Sequence, residues 1–246
     1  MKKEGYQPRL YRHWIEGKDL VAFNVTIKET DLYIRATANL QRKAHRLVLK
    51  YRQQLEQYIE QNPTFQTSLE PLPIPTNAPR IVLDMLEAGQ KANVGPMAAV
   101  AGAIAEYVGR ELLDFSPEII VENGGDIFLK ILHKRVVGIF AGDSPLTGKL
   151  GLEINPETTP LGVCTSSGTV GHSLSFGKAD AVVVTAGSAT LADAAATAIC
   201  NQVKKPDDIN SAIESGRNIA GLKGIVIIMG SNIGIWGEMK LCETSV

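Results

Sequence analysis

Between residues 40 and 59 the apolar side chains Leu40, Ala44, Leu47, Val48, Tyr51, Leu55, Tyr58 and Ile59 recur at steps of three and four. That spacing is one face of an amphipathic helix. Asn39 stands where a cap belongs, and Asn62-Pro63 marks the stop. Arg42, Lys43, Arg46, Lys50 and Arg52 take the other face, either as a phosphate-attracting surface or as a solvated helix side. Ahead of this helix, RLYRHW, LVAFNVTIKE and DLYIRAT are rich in β-branched and aromatic residues and read as extended, with EGKD and ETD as turns. Behind it, the proline-rich PTFQTSLEPLPIPTNAPR reads as an ordered spacer or a lid-like loop, and is the best internal break.

The pattern then predicts helices over 80–91 and 96–113. Pro96 suits the first helical position of the second one. Ala98, Ala99, Ala101, Gly102 and Ala105 carry so little side chain that another backbone can approach closely. EIIVENGGDIFLKIL predicts strand, tight turn and strand; RVVGIFAG, PLGVCTSSG and AVVVTAG predict further strands. An alanine-rich helix over about 189–204, a short helix over 207–215, KGIVIIMG and a last strand around EMKLC complete the chain. Strands and helices mix without strict alternation. The expected class is α+β, or mixed α/β, with one central sheet and small-residue helices against it. The expected organisation is a single domain over 1–246, with an N-terminal β/helix portion over 1–62 and a Pro-rich connection over 63–80.

Composition narrows the function classes. The 246 residues are enough for a sizeable core, and 44% hydrophobic with 21% charged residues is the balance of an ordinary globular protein. With 25 basic against 26 acidic residues, no global field attracts nucleic acid or an anionic membrane. No segment approaches the ~18 uncharged apolar residues of a membrane span. MKKEGYQPRLYRHW starts positive but has no apolar stretch behind it, so export is not expected. Three widely spaced cysteines make neither a disulfide framework nor a zinc pattern, which suits a reducing cytoplasm.

Four stretches carry candidate chemistry. In TLADAAATA, Asp193 and Thr197 lie one helical turn apart, where Cβ atoms are roughly 5–6 Å from each other. A carboxylate and a hydroxyl are hard oxygen ligands of the kind magnesium takes alongside water and substrate phosphates. The alternative has Thr197 bonding back along its own helix and Asp193 complementing the helix dipole. In VCTSSGTVGHS, the hydroxyls and amides of Thr165, Ser166, Ser167, Gly168 and Thr169 can form an anion-binding nest, with His172 as a base for an incoming hydroxyl. A polar loop after a strand reads equally well there. Cys164 stands at that strand end, where a thiol pKa can fall. In ENGGDI, Gly124 and Gly125 permit close ligand approach beside Glu122, Asn123 and Asp126, or simply turn a hairpin. In NVGP, Asn93 and Gly95 open a helix whose N-terminus can face a phosphate, or only cap it. There is no G-x-S-x-G elbow, no G-x-G-x-x-G and no Walker loop.

The order NVGPMAAVAGAIAE, IIVENGGDI, CTSSGT, AVVVTAGSATLADAAATA, over roughly residues 90–203, resembles the ApbE superfamily. These are flavin transferases that move FMN from FAD onto a Ser or Thr of a target protein. The last piece is similar to that family's A-D-A-x-A-T-A helix. The resemblance implies a T-fold-related central sheet and Mg2+ held by Asp193, Thr197 and the Ala98 carbonyl. It also implies FAD or a related dinucleotide as the small-molecule partner and an acceptor protein as the other. The chain departs from the family where GPMAAVAG puts Ala99 in the place of the Lys of G-G-x-A-K-G, and where GHSLSFGKAD replaces the D-P-x-T-G signature. It thus resembles a compact branch beside the transferases. Three functions follow: magnesium-dependent flavin transfer or pyrophosphate cleavage, nucleotide binding without turnover, and sulfur handling through Cys164. Small-residue helices and open β edges would suit a homodimer.

Overall fold

Val121, Phe128, Cys164, Val182 and Val184 are buried on one side of a sheet, and Ile120, Ile127, Leu129, Val163 and Val183 on the other. The central strands are therefore covered on both faces, which is why they read as unbroken apolar runs rather than alternating ones. The computed structural model describes residues 12, 14–15, 17–170 and 175–244. The elements run β1 (Val21–Ile27), β2 (Thr30–Ala36), α1 (Gln41–Gln61), α2 (Thr64–Thr67) and α3 (Arg80–Ala92). A turn of 3-10 helix (Pro96–Ala99) leads into α4 (Val100–Leu112). Then follow β3 (Ile119–Asn123), β4 (Asp126–Lys130), β5 (Arg135–Gly138), β6 (Leu150–Ile154), β7 (Leu161–Ser166) and β8 (Ala181–Ala186). The chain continues with α5 (Ala189–Gln202), α6 (Asp208–Arg217), β9 (Leu222–Met229), β10 (Asn232–Gly237) and β11 (Lys240–Glu243).

Eight strands form one antiparallel sheet in the order β1-β2-β3-β4-β7-β8-β9-β10. The helices cover one face. The eight-stranded sheet is the expected central one; a second antiparallel sheet, β11-β6-β5, which the sequence did not disclose, covers its other face. The strand expected around EMKLC pairs with β6 and not with the main sheet. Neither β6 (LGLEI) nor β10 (NIGIWG) was expected, because their glycines interrupt the strand pattern.

Local chemistry explains the junctions. Gly124 and Gly125 have φ of 69° and 109°, so the two-residue turn between paired Asn123 and Asp126 needs glycine at both places. Asn39 Oδ1 accepts from the Gln41 N–H at 3.0 Å, two residues ahead of the first residue of α1; Leu40, not the expected Asn39, holds the cap position. On the basic face of α1, Lys50 pairs with Glu111, and Arg52 with Glu29 and Glu56. This is a solvated, ion-paired side. The expected 96–113 helix is instead a 3-10 turn followed by α4, and the reason lies in the site.

Candidate functional site

The site is built where α4 and α5 touch. A Cβ on Gly102 would lie 2.3 Å from the Ala189 carbonyl oxygen, so only glycine allows this helix contact. Gly162 on β7 does the same from the sheet side, since its Cβ would lie 2.4 Å from Ala189 Cα. Glu106 on α4, itself buried, holds the start of α5. Its Oε2 accepts from Ser188 Oγ at 2.8 Å, and from the Thr190 N–H and Thr190 Oγ1 at 3.1 Å each. Ser188 Oγ in turn accepts from the Leu191 N–H, capping α5. Asn123 Nδ2 donates to the Ala101 carbonyl at 3.0 Å and ties the start of α4 to the sheet.

Asp193 projects from the interior of α5 onto the N-terminus of α4. Its Oδ2 accepts from the Gly102 N–H at 2.9 Å, and the Ala101 amide also bonds it. The carboxylate thus caps a neighbouring helix, where an anion is favoured by unpaired amides and the helix dipole. The Gly102 N–H would otherwise close a helical turn on the Ala98 carbonyl. Its engagement with Asp193 breaks the 96–113 helix and leaves that carbonyl without this partner.

Asp193, Thr197 and Ala98 all line one cavity of about 470 Å3. The Thr197 hydroxyl makes no hydrogen bond among the described residues, so it does not bond back along α5. Asp126, at the start of β4, lines the same cavity. Its Oδ1 accepts from the Thr165 N–H at 3.3 Å. Burial, then the neighbouring Asp193 charge, push Asp126 well above the usual carboxylate range. Burial alone pushes Asp193 up to about 7, against the lowering effect of the Gly102 and Ala101 amides. Two carboxylates, a hydroxyl and a carbonyl suit a hard divalent cation that keeps several waters. No group of three or more His, Cys, Asp or Glu side chains converges as a metal-holding cluster among the described residues.

The other sequence candidates fall in different places. Gly95 lines the cavity, and its N–H donates to the Leu69 carbonyl at 2.9 Å. A Cβ on Gly95 would lie 1.9 Å from the Ser68 carbonyl oxygen, so glycine lets the Pro-rich connection lie along the cavity rim. Asn93 is the left-handed C-cap of α3, with φ of 57°, and does not line the cavity. Gly124, Gly125, Thr165, Ser166 and Ser167 line a separate cavity of about 120 Å3, which Glu122 also lines. That cavity lies between the two sheets, across the main sheet from Asp193. Gly168 pairs with the Ala179 carbonyl, and Thr169 Oγ1 donates to Asp180. The structure therefore does not bring the CTSSGT hydroxyls to Asp193. His172 lies outside the described residues. Cys164 is fully buried, and its thiol donates to the Ala189 carbonyl. Burial and the Asp126 and Asp193 charges push this thiol up, the reverse of the lowered value expected from sequence. Sequence reasoning missed Glu106, Met97 and Asn201; the last two line the cavity. Only an unexplained Glu amid small residues signalled the first.

No helix among the described residues is long and apolar enough to cross a membrane. The sequence matches the family described as AbpE bacteria over residues 12–241. A UPF0280 protein of Methanocaldococcus jannaschii is 45% identical over 221 residues, covering 87% of this chain and 90% of that protein. One from Methanothermobacter thermautotrophicus is 45% identical over 198 residues, covering 78% and 76%. Among solved structures, the apo flavinyl transferase ApbE of Pseudomonas stutzeri matches with a TM-score of 0.60 at 14% identity, covering 88% of this chain and 94% of that one. The ApbE protein of Thermotoga maritima matches at 0.55 and 13% identity, covering 89% and 97%. At such identities the likeness concerns fold alone. Matched along nearly its whole described length in sequence, and in architecture by these structures, the chain belongs to the AbpE bacteria family and has the ApbE fold.

Proposed function

We propose that this chain is a magnesium-dependent enzyme that cleaves the pyrophosphate of FAD or a related dinucleotide, as an FMN transferase or with water as acceptor. The observation that carries the reading is the sharing of one cavity by the Asp193 carboxylate, the Thr197 hydroxyl and Ala98. Those three groups would hold the ion. Bound there, magnesium would neutralise charge on the pyrophosphate as its bridging bond breaks. The chain itself orients the site. The Gly102 and Ala101 amides fix the Asp193 carboxylate, and the small residues of α4 and α5 leave room above it for a bulky ligand. In transfer, the acceptor oxygen bonds to the phosphorus of the FMN half, the bridging P–O bond breaks and AMP leaves. The hydroxyl proton passes to solvent or base. With water as acceptor, the products are FMN and AMP.

The test is a titration of the purified protein with FAD, with and without magnesium, followed by flavin fluorescence. Magnesium should tighten binding, and Asp193→Ala should abolish that effect while the circular dichroism stays unchanged. FAD that fails to bind under either condition sinks the flavin reading. A second reading, nucleotide binding without turnover, is favoured by Ala99. It stands fully buried where the family's transferases have lysine. A bound dinucleotide recovered intact after incubation with magnesium and acceptor would support it.

A further inference from the structure

The cavity at Asp193 is lined by three acidic residues, Glu29, Asp126 and Asp193, and by no Lys, Arg or His among the described residues. Asp193 is anchored by the amides of α4. Asp126 is not matched in the same way. It is 5% exposed, and its donor is the neutral Thr165 N–H at 3.3 Å. It has no cationic partner among the described residues. A buried carboxylate without a counter-charge is costly, and two such groups at the floor of one cavity repel each other. Asp126 Oδ1 is held toward β7 by Thr165, and Asp126 lines the cavity that Asp193 and Thr197 share. A divalent cation held by both would offset that repulsion. Magnesium sites commonly use one or two carboxylates, so a second one is within the usual donor set.

We propose that Asp126 is a second acidic ligand of the cation site, and that the Asp126–Asp193 pair makes nucleotide binding conditional on the cation. This rests on the proposed function and adds a ligand that the family resemblance does not supply. A diphosphate entering without a cation meets the Asp126–Asp193 pair and a Glu29 already engaged by Arg52, with no basic side chain among the described lining to receive it. With the cation in place, Asp126 and Asp193 would hold it and its charge would offset that of the phosphates.

The experiment uses Mn2+ alone as a paramagnetic probe of the whole protein, then ADP by calorimetry with Mn2+ or with chelator. The wild type should bind Mn2+, and should bind ADP only when Mn2+ is present. Asp126→Asn keeps the oxygen that accepts from Thr165. It should weaken Mn2+ by at least about tenfold, and should bind ADP in chelator more tightly than the wild type. Asp193→Asn should remove Mn2+ binding. Unchanged Mn2+ affinity in Asp126→Asn, with loss in Asp193→Asn, overturns the proposal and leaves the functional reading standing. Absence of Mn2+ binding by the wild type overturns both. Should Asp126→Asn fold poorly by thermal melting, Asp126→Ser carries the same expectations and the same power to overturn.

Discussion

Replacing Gly102 with alanine tests the helix contact on which the site is built. The new Cβ would lie 2.3 Å from the Ala189 carbonyl oxygen and 2.8 Å from Asp193 Cβ, against 3.4 Å for ordinary contact. The first obstacle is backbone, so no side-chain rotation relieves it, and α4 must move from α5. Overpacking of this kind costs about 1–3 kcal/mol. The displacement also stretches the Gly102 N–H to Asp193 bond, and a hydrogen bond to a charged group contributes about 1.5–3 kcal/mol. Alanine's better helix propensity offsets roughly 1 kcal/mol. The net expectation is a loss of about 2–4 kcal/mol, read as a fall of roughly 5–15 °C in the melting temperature. Magnesium affinity should fall with it, because Asp193 loses its anchor. Gly187→Ala is the control: its Cβ would have nothing within 4 Å. It should stay within about 1 kcal/mol of the wild type. If Gly102→Ala melts alongside Gly187→Ala and binds magnesium normally, the two helices are not in the contact described.

Asp193 predicts a pH dependence. Its pKa is raised by burial from 3.8 to about 7, so the folded protein holds that proton more tightly than the unfolded chain. In the absence of divalent cation its contribution to stability is full below about pH 4 and is lost as pH rises through about 7. Melting followed against pH should show a decline that is smaller in Asp193→Asn, where buried Asp126 alone still holds its proton more tightly in the folded state; a decline as large as the wild type's would refute it. Glu106→Ala removes the acceptor shared by Ser188 and Thr190 and should cost about 2–4 kcal/mol by urea denaturation, with unaltered stability as the refuting result. Cys164, buried and protonated, should resist alkylation in the native protein while the half-buried Cys242 reacts. Mass spectrometry showing rapid labelling of Cys164 would contradict that placement.

What the sequence made legible was local. The threes and fours of residues 40–59 sufficed for α1, and the Gly124-Gly125 pair for its hairpin, because each depends on neighbours in the chain. The spacing of Asp193 and Thr197 likewise put both on one side of α5. What stayed hidden was contact between distant elements. Nothing in PMAAVAGAIAE says that Glu106 reaches across to Ser188, or that the Gly102 amide turns to Asp193 and interrupts the helix at Ala99. The CTSSGT stretch shows a different failure. It was grouped as one nest, yet a strand sends successive side chains to opposite faces. Cys164 therefore packs among the helices, and Thr165 lines the cavity between the sheets.

The alanines around Asp193 follow from the same geometry. An aspartate inside a helix is disfavoured because its side chain competes for backbone amides. Here it takes amides from another helix, at an N-terminus whose donors need an acceptor in any case. For that exchange the two helix axes must come close, as they do where the fully buried Ala189 meets Gly102. The alanine run is thus a consequence of placing one carboxylate where a neighbouring helix can orient it. The same closeness brings Ala98 and Thr197 to the lining of one cavity. The contact that stabilises the fold and the arrangement proposed to hold a cation are the same contact. Substitutions that loosen it should therefore lower melting temperature and cation affinity together, whereas Thr197→Val, which removes only a hydroxyl with no hydrogen bond among the described residues, should lower affinity alone. Loss of stability in Thr197→Val comparable to that of Gly102→Ala would break this separation.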